Sequence, residues 1–205
     1  MTVTEIVPVT KKKFRIYLDA EPAFVLYFGE LSRYGIRQGE PISQENLDEI
    51  MKSVLPLRAK KYAMNLLMKR DRTEKELRDK LKKAFYPPEA EETAIAYVKS
   101  FGYIDDRRYA ARYLEAGREK ESIRNLARKL KMKGIKRDIL EEALQSCQWE
   151  EENDSVVRGL IEKRMRSEKL KDEKAVRNMA AYLGRRGFSG EEIWPVLKEY
   201  MEIGE

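Results

Sequence analysis

The sequence contains no histidine and one cysteine, Cys147. The first absence removes the side chain that most readily exchanges protons near neutrality, which is also the commonest metal ligand. The second excludes an internal disulfide and a thiolate metal cluster. Seven prolines and eleven glycines in 205 residues are too few for a disordered or fibrous chain. No apolar run approaches the ~20 residues of a membrane span. The opening stretch MTVTEIVPVTKKKF lacks the apolar segment of a signal peptide, so a reducing cytoplasm is the expected location. Catalytic signatures are missing as well: there is no G-x-x-x-x-G-K-[ST] loop, no G-x-G-x-x-G and no H-E-x-x-H. Serine and cysteine have no histidine to activate them. No enzymatic activity, metal or cofactor is expected.

What is present is charge. Charged residues make up 38% of the chain and hydrophobic ones 42%, so the core is thin and the solvated surface large. Lys plus Arg is 42 against 36 for Asp plus Glu, a mild excess of +6 that permits a polyanionic partner without requiring one.

Strand character is confined to residues 11–30. Phe14, Ile16 and Leu18 alternate with Arg15 and Tyr17, DAEP breaks the pattern, and FVLYF resumes it. That is a β-hairpin, which is marginal alone and must lean on something else. Gly35 and Gly39 punctuate the loop that follows. From Ser43 onward the spacing is helical. Ser43 is a candidate N-cap, Pro56 an interruption, Thr73 with Glu76 a capping box, and Pro88 a first-turn proline.

The helical region repeats itself. LRDKLKKAFY, LARKLKMKGI and MAAYLGRRGF align Leu77 with Leu126 and Met179, and Leu81 with Leu130 and Leu183. Phe85, Gly134 and Gly187 come next, followed by Tyr86, Ile135 and Phe188. A period near 50 residues marks tandem supersecondary units. Gly134 and Gly187 suit the left-handed position that closes a helix. Phe85 departs from it, so its helix is expected to end through Pro87. Ser189 and Glu192 form a further capping box, and Pro195 falls inside the last helix. The fold class is mainly all-α: tandem three-helix repeats in an elongated curved array, with a small N-terminal β-hairpin. The expected segments are 1–55 (hairpin plus helix extension) and three-helix repeats at 56–104, 105–150 and 151–205.

FGYIDDRRYAARYL, at the first junction, holds two adjacent aspartates. Asp105 reads as an N-cap and Asp106 as an acid facing the positive end of the helix dipole, with Ile104 and Tyr109 at staple spacing. A divalent metal would need further oxygen ligands, and none lies near in sequence.

Basic residues cluster. Arg118 to Arg137 holds nine Lys/Arg against two acids, and Arg58 to Lys83 eleven against four, each a local +7. Arg124, Arg128 and Lys131 fall on one helical face, opposite Ile123, Leu126, Ala127 and Leu130. Repeat three adds Lys163, Arg164, Arg166, Lys169, Arg185 and Arg186. Any one cluster reads most simply as a solvated face. Matching clusters in successive repeats suggest a stripe suited to a helical polyanion, or to a protein filament that carries one. Tyr62, Tyr109 and Tyr113 accompany the clusters at core spacing. The candidate interface residues are Arg70, Arg72 and Arg78 in repeat one, Arg124, Arg128 and Lys131 in repeat two, and Arg185 and Arg186 in repeat three.

RTEKELRDKL, FGYIDDRRYAARYL and LARKLKMKGIKRDILEEAL together resemble the RecX family of recombination regulators. The similarity runs from about Leu57 to Ala143 and, more loosely, through repeat three. FRIYLDAEPAFVLYFGELSRYGIRQGEPIS looks like the extension of RecX proteins of Gram-positive type. The resemblance implies an all-helical repeat protein without a catalytic centre. It implies binding to RecA and to the RecA–single-stranded DNA filament, lodging in the filament groove, and inhibition of RecA ATPase, strand exchange and co-protease activity. DNA repair and the SOS response are the implied setting, a monomer the expected state, and single- or double-stranded DNA a further partner. A stand-alone helical DNA-binding protein, whose basic second helices enter a major groove, is the alternative. A helical protein-binding scaffold whose charge serves only solubility is a third.

Overall fold

The computed structural model describes residues 1–146, 153–165 and 173–202. Cys147, Arg166, Lys169 and the expected boundary at 150/151 lie outside the described residues. The chain folds as two compact units, Met1–Asp105 and Asp106–Glu205.

The first unit opens with an antiparallel sheet of three strands, β1 (Val3–Thr10), β2 (Lys13–Leu18) and β3 (Glu21–Tyr27), in that order. The hairpin expected from residues 11–30 is β2–β3, with Ile16 paired to Phe24. Its two-residue turn places Asp19 and Ala20 at φ 49° and 70°, the left-handed geometry whose twist matches the flanking strands. The additional strand, β1, carries Pro8, which an edge strand tolerates because no ladder hydrogen bond is needed from it there. Val3, Ile16, Leu18, Phe24 and Leu26 are buried in one core with Leu47, Ile50, Leu55 and Ala59. The sheet is therefore stabilised by helices rather than standing alone.

Helix α1 (Phe28–Arg33) leads to α2 (Gln44–Glu49), capped by Ser43, whose Oγ accepts from Asn46 N. Pro56 does not break the helix. Ile50–Val54 forms a π-helical turn in which Leu55 N–H donates to Ile50 O. The proline then enters the first turn of α3 (Leu55–Leu67), where its missing N–H costs nothing. With α4 (Glu74–Lys83) and α5 (Pro88–Ser100), α3 completes the first three-helix bundle.

The second unit contains α6 (Asp106–Gly117), α7 (Ile123–Met132) and α8 (Arg137–Gln145), then α9 (Asn153–Met165), α10 (Glu173–Arg185) and α11 (Gly190–Glu202). Each triplet has its own core, around Leu114, Leu126, Leu130 and Leu140 in one, and Val157, Ile161, Leu183 and Leu197 in the other. All six residues aligned by the repeat, Leu77, Leu81, Leu126, Leu130, Met179 and Leu183, are 2% exposed or less.

The turn after the middle helix is also repeated. Tyr86 N donates to Leu81 O (3.2 Å), Ile135 N to Leu130 O (3.1 Å) and Phe188 N to Leu183 O (3.4 Å). Each bond closes across a left-handed residue: Phe85 (φ 63°), Gly134 (φ 84°) and Gly187 (φ 92°). Phe85 thus occupies the position glycine takes in the other bundles instead of ending its helix through Pro87. A left-handed phenylalanine costs ~1–2 kcal/mol. The Arg15 guanidinium, 3.4 Å from the centre of its ring, is a contact glycine could not make.

Candidate functional site

In the first unit the expected basic residues lie at and just before α4. Thr73 caps this helix: its Oγ1 accepts from Glu76 N (3.2 Å) while Glu76 reaches back to Thr73 N (3.4 Å). Arg70 is exposed and Arg72 half-buried just upstream. Arg78 is engaged internally. Its guanidinium donates to Glu74 (2.8 Å), Glu91 (3.2 Å) and Glu92 (2.5 Å), and Lys99 pairs with Glu74 at 2.5 Å. Glu91, a carboxylate only 4% exposed, is thereby neutralised inside the α4–α5 contact. The hydrogen bond to Glu92, above all, pushes the Arg78 pKa further up. Burial works against ionised Glu74, but Lys99 and Arg78 outweigh it and hold that carboxyl below its usual range.

In the second unit the cations sit on α7 and around the end of α10, and a set of polar contacts joins the two regions. Ser122, 1% exposed, caps α7 by accepting from Asn125 N (3.3 Å) and donates its own N–H to Arg186 O (3.0 Å). Arg124 donates to Gly187 O (3.2 Å) and to Glu192 (3.3 Å), which also accepts from Asn153 (2.8 Å) and Ser189 N (2.5 Å). Arg128 donates to Asn125 Oδ1 (2.9 Å), and Asn125 to Glu121 (2.7 Å). Gly187 is required at this seat twice over. Its φ is left-handed, and a Cβ there would lie 2.5 Å from both Asn125 Cβ and Ser122 Oγ. The start of α7 therefore rests on bare backbone of the turn after α10.

Lys131 is exposed on α7, and Arg185 is exposed at the last residue of α10. Arg186 stacks on Tyr182, its guanidinium carbon 3.7 Å from the ring centre. Arg185 and Arg186 line a cleft of about 840 Å³ together with Lys120 and Lys163. Sequence reasoning counted both lysines in its clusters but singled out neither, and it passed over Tyr182. The only sequence signal for the cleft was the basic pair following an aromatic at i−3 and i−4. In the first unit it also passed over a ladder of Tyr97, Phe101 and Tyr103, with ring centres 5.0 and 5.7 Å apart. Phe101 is 59% and Tyr103 47% exposed. Of the tyrosines expected in the core, Tyr62 packs tilted on Tyr86, while Tyr109 and Tyr113 stack at 6.1 Å beneath Lys133. Among the described residues, no helix is long and apolar enough to cross a membrane.

Comparison with known proteins gives a consistent result. Residues 59–97 match the family described as RecX, first three-helix domain, and residues 150–197 match RecX, third three-helix domain. The "Regulatory protein RecX" of Caldanaerobacter subterraneus subsp. tengcongensis is 29% identical over 195 residues, covering 94% of this chain and 96% of that protein. That of Deinococcus radiodurans is 32% identical over 142 residues, covering 69% and 68%. A crystal structure of regulatory protein RecX shares the fold with a TM-score of 0.59 over 97% of this chain and 98% of its own, at 22% identity. The chain belongs to the RecX family of regulatory proteins.

Proposed function

We propose that the chain binds RecA and the RecA–single-stranded DNA filament, lodges in the filament groove, and inhibits RecA ATP hydrolysis, strand exchange and co-protease activity. The observation that supports this most is the recurrence of cations on or beside the middle helix of each bundle in a chain of the RecX family. Arg70 and Arg72 precede α4, Arg124, Arg128 and Lys131 lie on α7, and Arg185 and Arg186 follow one another at the end of α10. The action is steric and electrostatic. The bundles bridge neighbouring RecA subunits and hinder the rearrangements that ATP turnover requires. The cations meet DNA phosphates or acidic RecA surface. Not all eight act alike. Arg78 spends its donors on Glu74, Glu91 and Glu92 and serves by holding α4 on α5. Arg124 steadies the seat of α7. Arg70, Lys131 and Arg185 are exposed and are the direct contacts. The protein works as a cytoplasmic monomer in DNA repair and the SOS response, without a catalytic centre.

Co-sedimentation tests this. The chain should pellet with RecA–single-stranded DNA filaments at concentrations where naked single strand and duplex capture little of it. Binding should weaken steeply with salt, as phosphate contacts do. Tight, sequence-dependent binding to duplex without RecA would replace this reading by that of a stand-alone DNA-binding protein.

A further inference from the structure

Several cations of the second unit are paired internally. Arg124 is answered by Glu192, Lys129 by Glu121, Arg137 by Glu141 and Arg158 by Glu199. The cleft beside α10 instead gathers cations that are not so paired. Lys120, Lys163, Arg185 and Arg186 all line it, and among the described residues none of the four is held by a carboxylate. Two acids share the lining, Glu119 and Glu121, but Glu121 is already taken by Lys129 at 2.5 Å and by Asn125. Like charges gathered on a concave wall repel one another, and the low-dielectric walls focus their field into the space between them.

The cationic wall is held in position. Arg186 lies flat on Tyr182 at 3.7 Å, and Arg164 approaches the same ring at 4.6 Å. The Arg186 carbonyl is fixed by Ser122 N, so the backbone bearing the basic pair is tied to the neighbouring bundle. Lys120 donates to Ala116 O at the end of α6 (3.0 Å) and can exchange that weak partner for an anion. A volume of about 840 Å³ falls within the range of small-molecule sites.

We propose that this cleft is a polyphosphate site, taking two or more successive phosphate groups on Lys120, Lys163, Arg185 and Arg186. Consecutive phosphodiesters of a single nucleic-acid strand and the polyphosphate chain of a nucleotide share that chemistry. The inference rests on the proposed function for where phosphate would be met, yet its chemistry is testable with RecA absent.

The experiment is calorimetric titration of the full chain with inorganic tripolyphosphate and, separately, with a short oligothymidylate. Three proteins are compared: the native chain, Lys163→Glu with Arg185→Glu, and Lys80→Glu with Lys82→Glu. The last pair changes net charge equally, at exposed positions on α4. Tripolyphosphate should bind the native chain and the α4 variant alike, and the cleft variant at least about tenfold more weakly. Hydrogen exchange at residues 182–186 should slow when tripolyphosphate is added to the native chain, a readout that needs no variant. Competition by oligothymidylate identifies a strand as the source, and competition by adenosine triphosphate but not by oligothymidylate identifies a nucleotide; both support the site. No binding of tripolyphosphate, or equal binding to the two double variants, overturns it. If the site fails in this way while RecA ATPase is still inhibited, the cleft assignment falls and the RecA reading stands.

Discussion

Replacing Gly187 by alanine should loosen the seat of α7 selectively. The position is left-handed, φ +92°, where an L side chain costs ~1–2 kcal/mol. The new Cβ would also lie 2.5 Å from Asn125 Cβ and Ser122 Oγ, neither of them the free end of a flexible side chain. Overpacking of that kind costs ~1–3 kcal/mol. Together the two effects amount to about 2–5 kcal/mol, or at least about 30-fold in an opening equilibrium. The Ser122 amide reports on this directly because its acceptor, Arg186 O, belongs to the other bundle. Its hydrogen exchange should accelerate by that factor in Gly187→Ala. Gly102→Ala is the control: φ is +66° but nothing lies within 4 Å of the added methyl, so it carries the backbone cost alone. That replacement should leave Ser122 exchange unchanged. Native-like protection of Ser122 in Gly187→Ala would refute the close approach on which the seat depends.

Other outcomes follow from the same geometry. Arg78→Met strands the buried Glu91 carboxylate and should destabilise the first unit by about 2–4 kcal/mol, whereas the double variant with Glu91→Gln should recover at least half of that in urea melts. Lys131→Glu and Arg185→Glu should weaken filament binding at least about tenfold with no change in melting, because neither cation is tied into the fold. Stability should be flat from about pH 6 to about pH 9, since there is no histidine to titrate. It should fall in acid, where Glu74 and Glu92, held below their ordinary 4.5, stabilise fully above that value and lose their contribution as pH drops through the depressed ones. It should fall again in alkali: burial pushes Tyr86 up to about 12, so its contribution is complete below 10.0 and lost as pH rises toward 12. A denaturant-midpoint profile across pH checks both limits.

The repeat was legible because apolar residues four apart survive whatever surrounds them, and the aligned leucines mark each middle helix. Caps were legible for a similar reason: the Ser43 and Thr73 hydroxyls accept from amides three residues on, and Glu192 reaches back to the Ser189 amide, although the Ser189 hydroxyl donates to that carboxylate instead of accepting from an amide. The strand β1 was not, since VTEIVPVT contains a proline and only its edge position makes that harmless. The π-helical turn before Pro56 escaped because its cause, a proline received by a preceding turn, leaves no periodic trace. Left-handed Phe85 escaped because the contact it makes, Arg15, lies 70 residues away in sequence. The same limit applies to the candidate site. Charge clusters are local and were visible, but which cations are spent on partners is decided by distant residues. Arg78 meets Glu91 and Glu92, and Arg124 meets Glu192, so charge density alone could not separate them from Arg185 or Lys163.

The central claim is that this chain restrains RecA, and ATP hydrolysis by RecA on single-stranded DNA tests it most directly. Titrating the protein into that reaction should suppress hydrolysis progressively, and Lys131→Glu with Arg185→Glu should require at least about tenfold more protein for the same effect. Undiminished hydrolysis with the native chain in excess over RecA would contradict the account.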